Sequence, residues 1–182
     1  MSLAPSLYNF QLSLSQVDRN VTQELTVKLA RHPSELMERV WLKLLAFCWQ
    51  WEERLEFGPG LGDPDAPDLV TRDYTGVVTR WIRVGKADPV KLQRAVDQNA
   101  QAQIVALFES PDRLESFLAE ARIAKTARLT RAELAAVDAE LLRAISAYDE
   151  RRAKISVTFV GDHFYLEVNG ESFDGPLVRG TF

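Results

Sequence analysis

At 182 residues, 46% of them apolar, the chain is long enough for one full-sized domain, residues 1–182, and too short for a second independent core. Its formal charge of -4 and isoelectric point near 5.3 argue against a stable nucleic-acid coat protein, although a local basic patch suffices for brief contact with nucleic acid. The single Cys48 excludes an internal disulfide and a cysteine-built metal site, and no apolar run is long enough to span a bilayer. The first residues, Met1 to Ser6, hold no basic region followed by an apolar segment, so no signal peptide, no membrane partner and a cytoplasmic location are expected.

Residues 7–16 alternate, with Tyr8, Phe10, Leu12 and Leu14 on one side and Leu7, Asn9, Gln11 and Ser13 on the other. Residues 21–30 alternate again through Leu25, Val27 and Leu29, and the polar turn between the two runs predicts an antiparallel N-terminal hairpin. His32 and Pro33 stop the second strand and open a helix predicted over 33–55. On a helical wheel only Arg39, Lys43, Ala46 and Gln50 form a clear solvent face, so this helix is the expected core of the fold. Glu38 falls inside the apolar arc, where a carboxylate needs a cationic partner or a metal. Glu35 reads as a helix-end acid.

Residues 57–67 form a Gly-, Pro- and Asp-rich loop in which Asp63 and Asp65, with Asp68 just beyond, are candidates for a cation site but read first as solvated acids. The stretch 68–95 follows: two short β-branched runs meeting at Tyr74, Thr75 and Gly76, then Gly85, then a helix capped by Asp88 with Pro89 at its first position. Residues 103–108 read as a buried parallel strand that completes a βαβ crossover, and 111–123 as an amphipathic helix. Residues 129–147 look helical by propensity alone. Residues 155–160 and 163–168, joined by Gly161 and Asp162, predict a C-terminal hairpin, followed by a last extended piece over 177–182.

No phosphate-binding loop, serine-hydrolase elbow, His-Glu-x-x-His zinc motif or paired cysteines occur. His32 reads as a helix cap and His163 as exposed. The chemistry left open is a carboxylate site for Mg²⁺, with Glu38 and Asp73 as its candidate ligands.

A set of strings then resembles the YaeQ family: Ala30-Arg31-His32-Pro33-Ser34-Glu35, Glu38-Arg39, Leu44-Leu45-Ala46, Glu53-Arg54-Leu55, Gly60-Leu61, Pro67-Asp68-Leu69, Asp73, Gly76, and Trp81-Ile82 with Val84-Gly85. The resemblance implies a mixed α/β (α+β) fold that varies the PD-(D/E)XK nuclease theme, a restriction-endonuclease-like mixed central sheet flanked by helices. It also implies a strand within 129–138 and a helix only from about Ala139, against the propensity reading, and the family reading is followed here.

In that superfamily, an acid from the first core helix and acids on two adjacent strands hold Mg²⁺, and a lysine positions the attacking water. By resemblance Glu38, or Glu35, matches the helix acid and Asp73 the first strand acid. The second strand acid falls on Arg83, a guanidinium that cannot ligate a cation and is expected to pair with Asp73 or Glu38. Gly85 stands where the lysine is usual, and Lys86 or Lys91 are the substitutes within reach. The implied function is a YaeQ-like protein with a degenerate carboxylate site, binding nucleic acid or a protein partner without cleavage. The alternatives are a working Mg²⁺-dependent nuclease using Glu38, Asp73 and a substitute acid from the Asp63 to Asp68 loop, and a structural protein that recruits a partner along a sheet edge.

Overall fold

In the computed structural model, residues 3–59 and 63–182 are described; Gly60 and Leu61 of the family-like strings lie outside the described residues, as do Met1, Ser2 and Gly62. The two alternating runs become β1 (Ser6–Gln16) and β2 (Val21–Arg31), paired antiparallel with no register shift. Asn20, at a positive φ of 54°, turns the chain between them. Tyr8, Phe10, Leu12 and Leu14 are buried, as their alternation requires.

Next come α1 (Met37–Trp49) and the two-residue strand β3 (Glu56–Phe57). β4 (Leu69–Arg72) and β5 (Val78–Val84) form the central hairpin, and α2 (Pro89–Gln98) carries the chain over to β6 (Gln103–Phe108), parallel to β5. α3 (Pro111–Ile123) leads to β7 (Ala132–Val137), which extends the parallel set, and then to α4 (Ala139–Ser146). β8 (Arg152–Val160) and β9 (His163–Val168) form the C-terminal hairpin, turned by Gly161 and Asp162, both with φ near +55°. β10 (Glu171–Gly180) is longer than expected and starts six residues earlier, because its first half pairs with β9 and its second with β7.

The strands make one mixed ten-stranded sheet, ordered β2-β1-β8-β9-β10-β7-β6-β5-β4-β3, which curls until nearly closed. Inside the curl lies α1. Leu107 and Val105 of β6 face that inner core, whereas Ile104, Ala106 and Phe108 face an outer layer made by α2 and α3. Caps start α2, α3 and α4: Asp88 accepts from the Lys91 N–H, Ser110 from Arg113 and Asp138 from Leu141.

Three expectations need correction. The helix predicted over 33–55 begins only at Met37 and ends at Trp49; Pro33 to Leu36 are non-helical, so Glu35 has no place on the wheel, and Glu38 falls in the exposed first turn. Its expected solvent face is not one: Lys43, Ala46 and Gln50 are all buried, because the curled sheet and α4 together enclose the helix. The helical propensity of 129–137 loses to the sheet, and the family reading of that segment holds. Leu134, Ala135, Ala136 and Val137 are buried in β7 between β6 and β10, where both ladder edges are used.

Candidate functional site

A cleft of about 920 Å³ opens at the C-terminal ends of β5 and β6, between the approach to α1 and the first turns of α2. Parallel β-strands of α/β proteins, in open sheets and closed barrels alike, characteristically present ligand sites at this end. Glu35 and Arg39 line one wall; Arg83, Lys86, Lys91 and Arg94 line the other.

The acid at the base of this arrangement is Asp68, 3% exposed. Its backbone N–H donates to the Ile82 carbonyl at 2.8 Å, which extends the β4–β5 ladder by one residue and aims the side chain toward the end of β5. Gly58 holds the other side by donating to the Asp68 carbonyl at 2.8 Å. A Cβ on Gly58 would meet the Pro67 carbonyl oxygen at 2.1 Å, so only glycine permits this approach. Asp68 Oδ2 accepts from the Val84 N–H at 2.8 Å, and Oδ1 binds the Arg39 guanidinium. Arg83 Nη1 stands 3.6 Å from Oδ2, while its Nη2 donates to the Pro64 carbonyl at 3.1 Å. The Arg83 guanidinium also lies 5.2 Å from the centre of the Trp81 ring, a cation–π contact that helps fix it.

Arg39 joins this acid to a second one. Its Nε lies 3.1 Å from Glu35 Oε1, and the same oxygen is 2.8 Å from Lys43 Nζ. Glu35 Oε2 accepts from the His32 N–H at 3.1 Å, and Arg31 grips the Glu35 carbonyl at 2.8 Å. Two buried carboxylates therefore sit among three cations, Arg39, Lys43 and Arg83, a cluster with one surplus positive charge. Arg39 further donates to the Val84 carbonyl, and Gly85 follows with a φ of +75°. A Cβ at Gly85 would lie 3.4 Å from Arg39 Nη1 and 4.0 Å from Glu109 Oε2. Glu109, at the end of β6, binds Arg113 through Oε1 at 3.1 Å and leaves Oε2 buried without a hydrogen-bond partner.

Of the residues singled out in the sequence, Glu35, Glu38, Arg83 and Lys91 line this cleft. Glu35 and Glu38 exchange environments relative to expectation. Glu38 is exposed in the first turn of α1 and needs no buried partner, and Glu35, in the non-helical approach, is the buried acid. Lys91 pairs with Asp65 at 3.3 Å on the surface. Asp73 does not join them. It sits in the β4–β5 turn, where Oδ1 accepts from the Thr75 N–H at 2.8 Å, the Thr75 hydroxyl at 2.6 Å and the Val77 N–H at 3.0 Å. The expected partner of Arg83 was Asp73 or Glu38; it is Asp68 instead, an acid read from the sequence as part of a solvated loop. Its signal was present but slight: an aspartate placed directly before the apolar run Leu69-Val70.

The donor set does not fit Mg²⁺. Asp68 spends both oxygens on guanidinium and backbone N–H groups, Glu35 Oε1 lies in ion-pair contact with Arg39 and Lys43 while its Oε2 accepts a backbone N–H, and Asp73 engages Oδ1 in a turn away from the cleft. Among the described residues no three His, Cys, Asp or Glu side chains are grouped to hold a metal ion.

The whole chain can be compared with known proteins on this footing. The family described as YaeQ protein matches residues 1–175. The chain belongs to the YaeQ family. The uncharacterized protein YaeQ of Escherichia coli strain K12 is 31% identical over 184 aligned residues, covering 97% of this chain and 99% of that protein. The YaeQ of Salmonella typhi is 31% identical over 167 residues, 91% of this chain and 90% of that one. Among solved structures, YaeQ from Xanthomonas axonopodis pv. citri superposes with a TM-score of 0.87 at 26% identity, covering 97% of this chain and 98% of its own. YaeQ from Pseudomonas syringae gives 0.84 at 26% identity, covering 98% and 97%. The YaeQ sheet, nearly closed around its helix, is thus the frame in which Arg39, Asp68 and Arg83 meet.

Proposed function

We propose that this YaeQ protein carries a degenerate nuclease-type site, on a variant of the PD-(D/E)XK fold, that holds a phosphate-bearing nucleic-acid strand in the cleft without cutting it. The observation that carries this reading is the state of Asp68. An acid at the start of a strand, beside the end of the next, is the kind of group a nuclease uses for its metal. Here Arg39 and Arg83 neutralise it and Val84 occupies a further lone pair. What the cluster offers outward is the Arg83 guanidinium, with Lys86 and Arg94 further along a cleft wall whose Lys91 is paired with Asp65 and whose lining also carries Glu38, Asp88 and Glu109. Guanidinium groups fixed by carboxylates match phosphate oxygens by charge and by fork geometry.

The test is binding and turnover on the same oligonucleotides. Labelled single- and double-stranded DNA and RNA should raise fluorescence anisotropy with the wild type, more weakly as salt increases, and should stay intact with Mg²⁺ or Mn²⁺. Arg83→Glu reverses the charge at the centre and adds a carboxylate beside Asp68. It should abolish the anisotropy change and introduce a metal-dependent rise in melting temperature above the salt control. Cleavage by the wild type, or binding indifferent to Arg83→Glu, would defeat the reading.

A further inference from the structure

The two free edges of the sheet are built differently. β3 is two residues long and runs into a loop containing Pro59, which is how natural sheets keep an edge from pairing with another chain. β2 is eleven residues long, has no proline, and keeps one register against β1 from Ser6↔Arg31 to Gln16↔Val21.

The direction of its unpaired groups follows from β8. The Asn9 N–H donates to the Arg151 carbonyl at 2.7 Å, so Asn9, Gln11 and Ser13 turn their backbone groups toward β8. Phe10, Leu12 and Leu14 turn theirs toward β2, where they bond with Val27, Leu25 and Gln23. Thr22, Glu24, Thr26 and Lys28 are left pointing outward. Among the described residues nothing hydrogen-bonds to the backbone of these four. The edge closes at Ala30, whose carbonyl accepts from Lys43 Nζ at 3.4 Å.

We propose that a second copy of this chain occupies the β2 edge, strand against strand, antiparallel about a two-fold axis at Thr26. In that register Thr26 faces Thr26, and Glu24 of each copy lies directly opposite Lys28 of the other. Three residue pairs then exchange about six backbone hydrogen bonds. On the inner face, Leu25 of one copy meets Val27 of the other; Leu25 is half-buried in the single chain and packs at the border of the core. Charge selects the register. A two-fold axis at Glu24 or at Lys28 sets like charges against each other, and an axis at Leu25 or Val27 leaves both without an opposite charge. The paired charges are exposed and contribute register more than affinity.

Light scattering and sedimentation equilibrium on the full chain should show a dimer. Thr26→Pro removes an outward N–H and none of the bonds to β1, so it should give a folded monomer by circular dichroism. Lys28→Glu places Glu24 against a second acid in both pairs and should raise the dimer dissociation constant about tenfold. Adding Glu24→Lys to that variant should restore it. A wild type that stays monomeric at every concentration overturns the proposal, including the case in which the edge takes a strand from a different protein. So does a dimer indifferent to Lys28→Glu, which carries the test if Thr26→Pro fails to fold. Nucleic-acid binding in the cleft is not involved in either outcome.

Discussion

β4 has an aspartate at each end, and the two have opposite fates. Asp68, just before the strand, is buried between two arginines and a backbone N–H. Asp73, just after it, is half-buried and holds Thr75 and Val77 of its own turn. Both are acids next to the same short strand, and both belong to strings that resemble the YaeQ family. What separates them is which way the strand points. The start of β4 lies beside the end of β5, where α1 and the cleft converge, and its end lies at the hairpin tip. The difference teaches that an acid's role on a sheet is set by the end of the strand it occupies, a property fixed by topology rather than by residue type.

Substitutions can break or sharpen this contrast. Asp68→Ala should have the largest effect. It leaves Arg39 short of one partner, Arg83 without its carboxylate and the Val84 N–H without an acceptor, which costs about 3–5 kcal/mol by chemical denaturation. For a domain of this size each kcal/mol lowers the melting temperature by about 2–4 °C. Gly85→Ala comes next. It forces a side chain into a left-handed backbone beside Arg39, for about 1–2 kcal/mol, without removing a charged group. Asp73→Ala should produce a melting-temperature change several-fold smaller than Asp68→Ala, and should leave oligonucleotide binding unchanged. Equal effects at Asp68 and Asp73 would erase the distinction drawn between the two ends.

The smallest effect is a pH dependence. The Thr75 hydroxyl, then the Val77 N–H, hold the Asp73 carboxyl below its ordinary value, and the Arg179 guanidinium does the same to Asp162. A carboxyl whose folded value is depressed stabilises the fold above its unfolded value, about 3.9, and loses that contribution as pH falls through the folded value. The difference in melting temperature between wild type and Asp73→Ala should therefore be constant near neutrality and shrink below about pH 4. A difference that grows on acidification would mean the turn contacts are not formed by the ionised carboxylate.

Much of the fold was legible. The alternation of Tyr8 to Leu14 foretold a strand with one buried face, and Gly161-Asp162 foretold a tight hairpin through the positive φ it tolerates. Asp88-Pro89 marked the start of α2 because capping and a preset proline φ are local effects. The site was legible in part: Glu35, Arg83 and Lys91 line the cleft, and a guanidinium at position 83 does pair with an acid. Asp68 is legible only as one of three loop acids that read first as solvated, and Arg39 and Lys43 read as solvent-facing. Lys43 sits on the polar side of the α1 wheel, and nothing local says that a sheet will close over that side and bring Glu35 to it.

Periodicity, caps and turns act over a few residues, so the chain alone determined where most strands and helices of this YaeQ protein lie and which face of β1 and β2 is apolar. Tertiary structure decided the rest. It drew residues of high helical propensity into β7, because that slot completes two ladders at once. It also chose Asp68 over Asp73 as the buried acid, because a carboxylate leaves water only where cations and N–H groups from distant segments arrive together, and their arrival depends on how the whole sheet curls around α1.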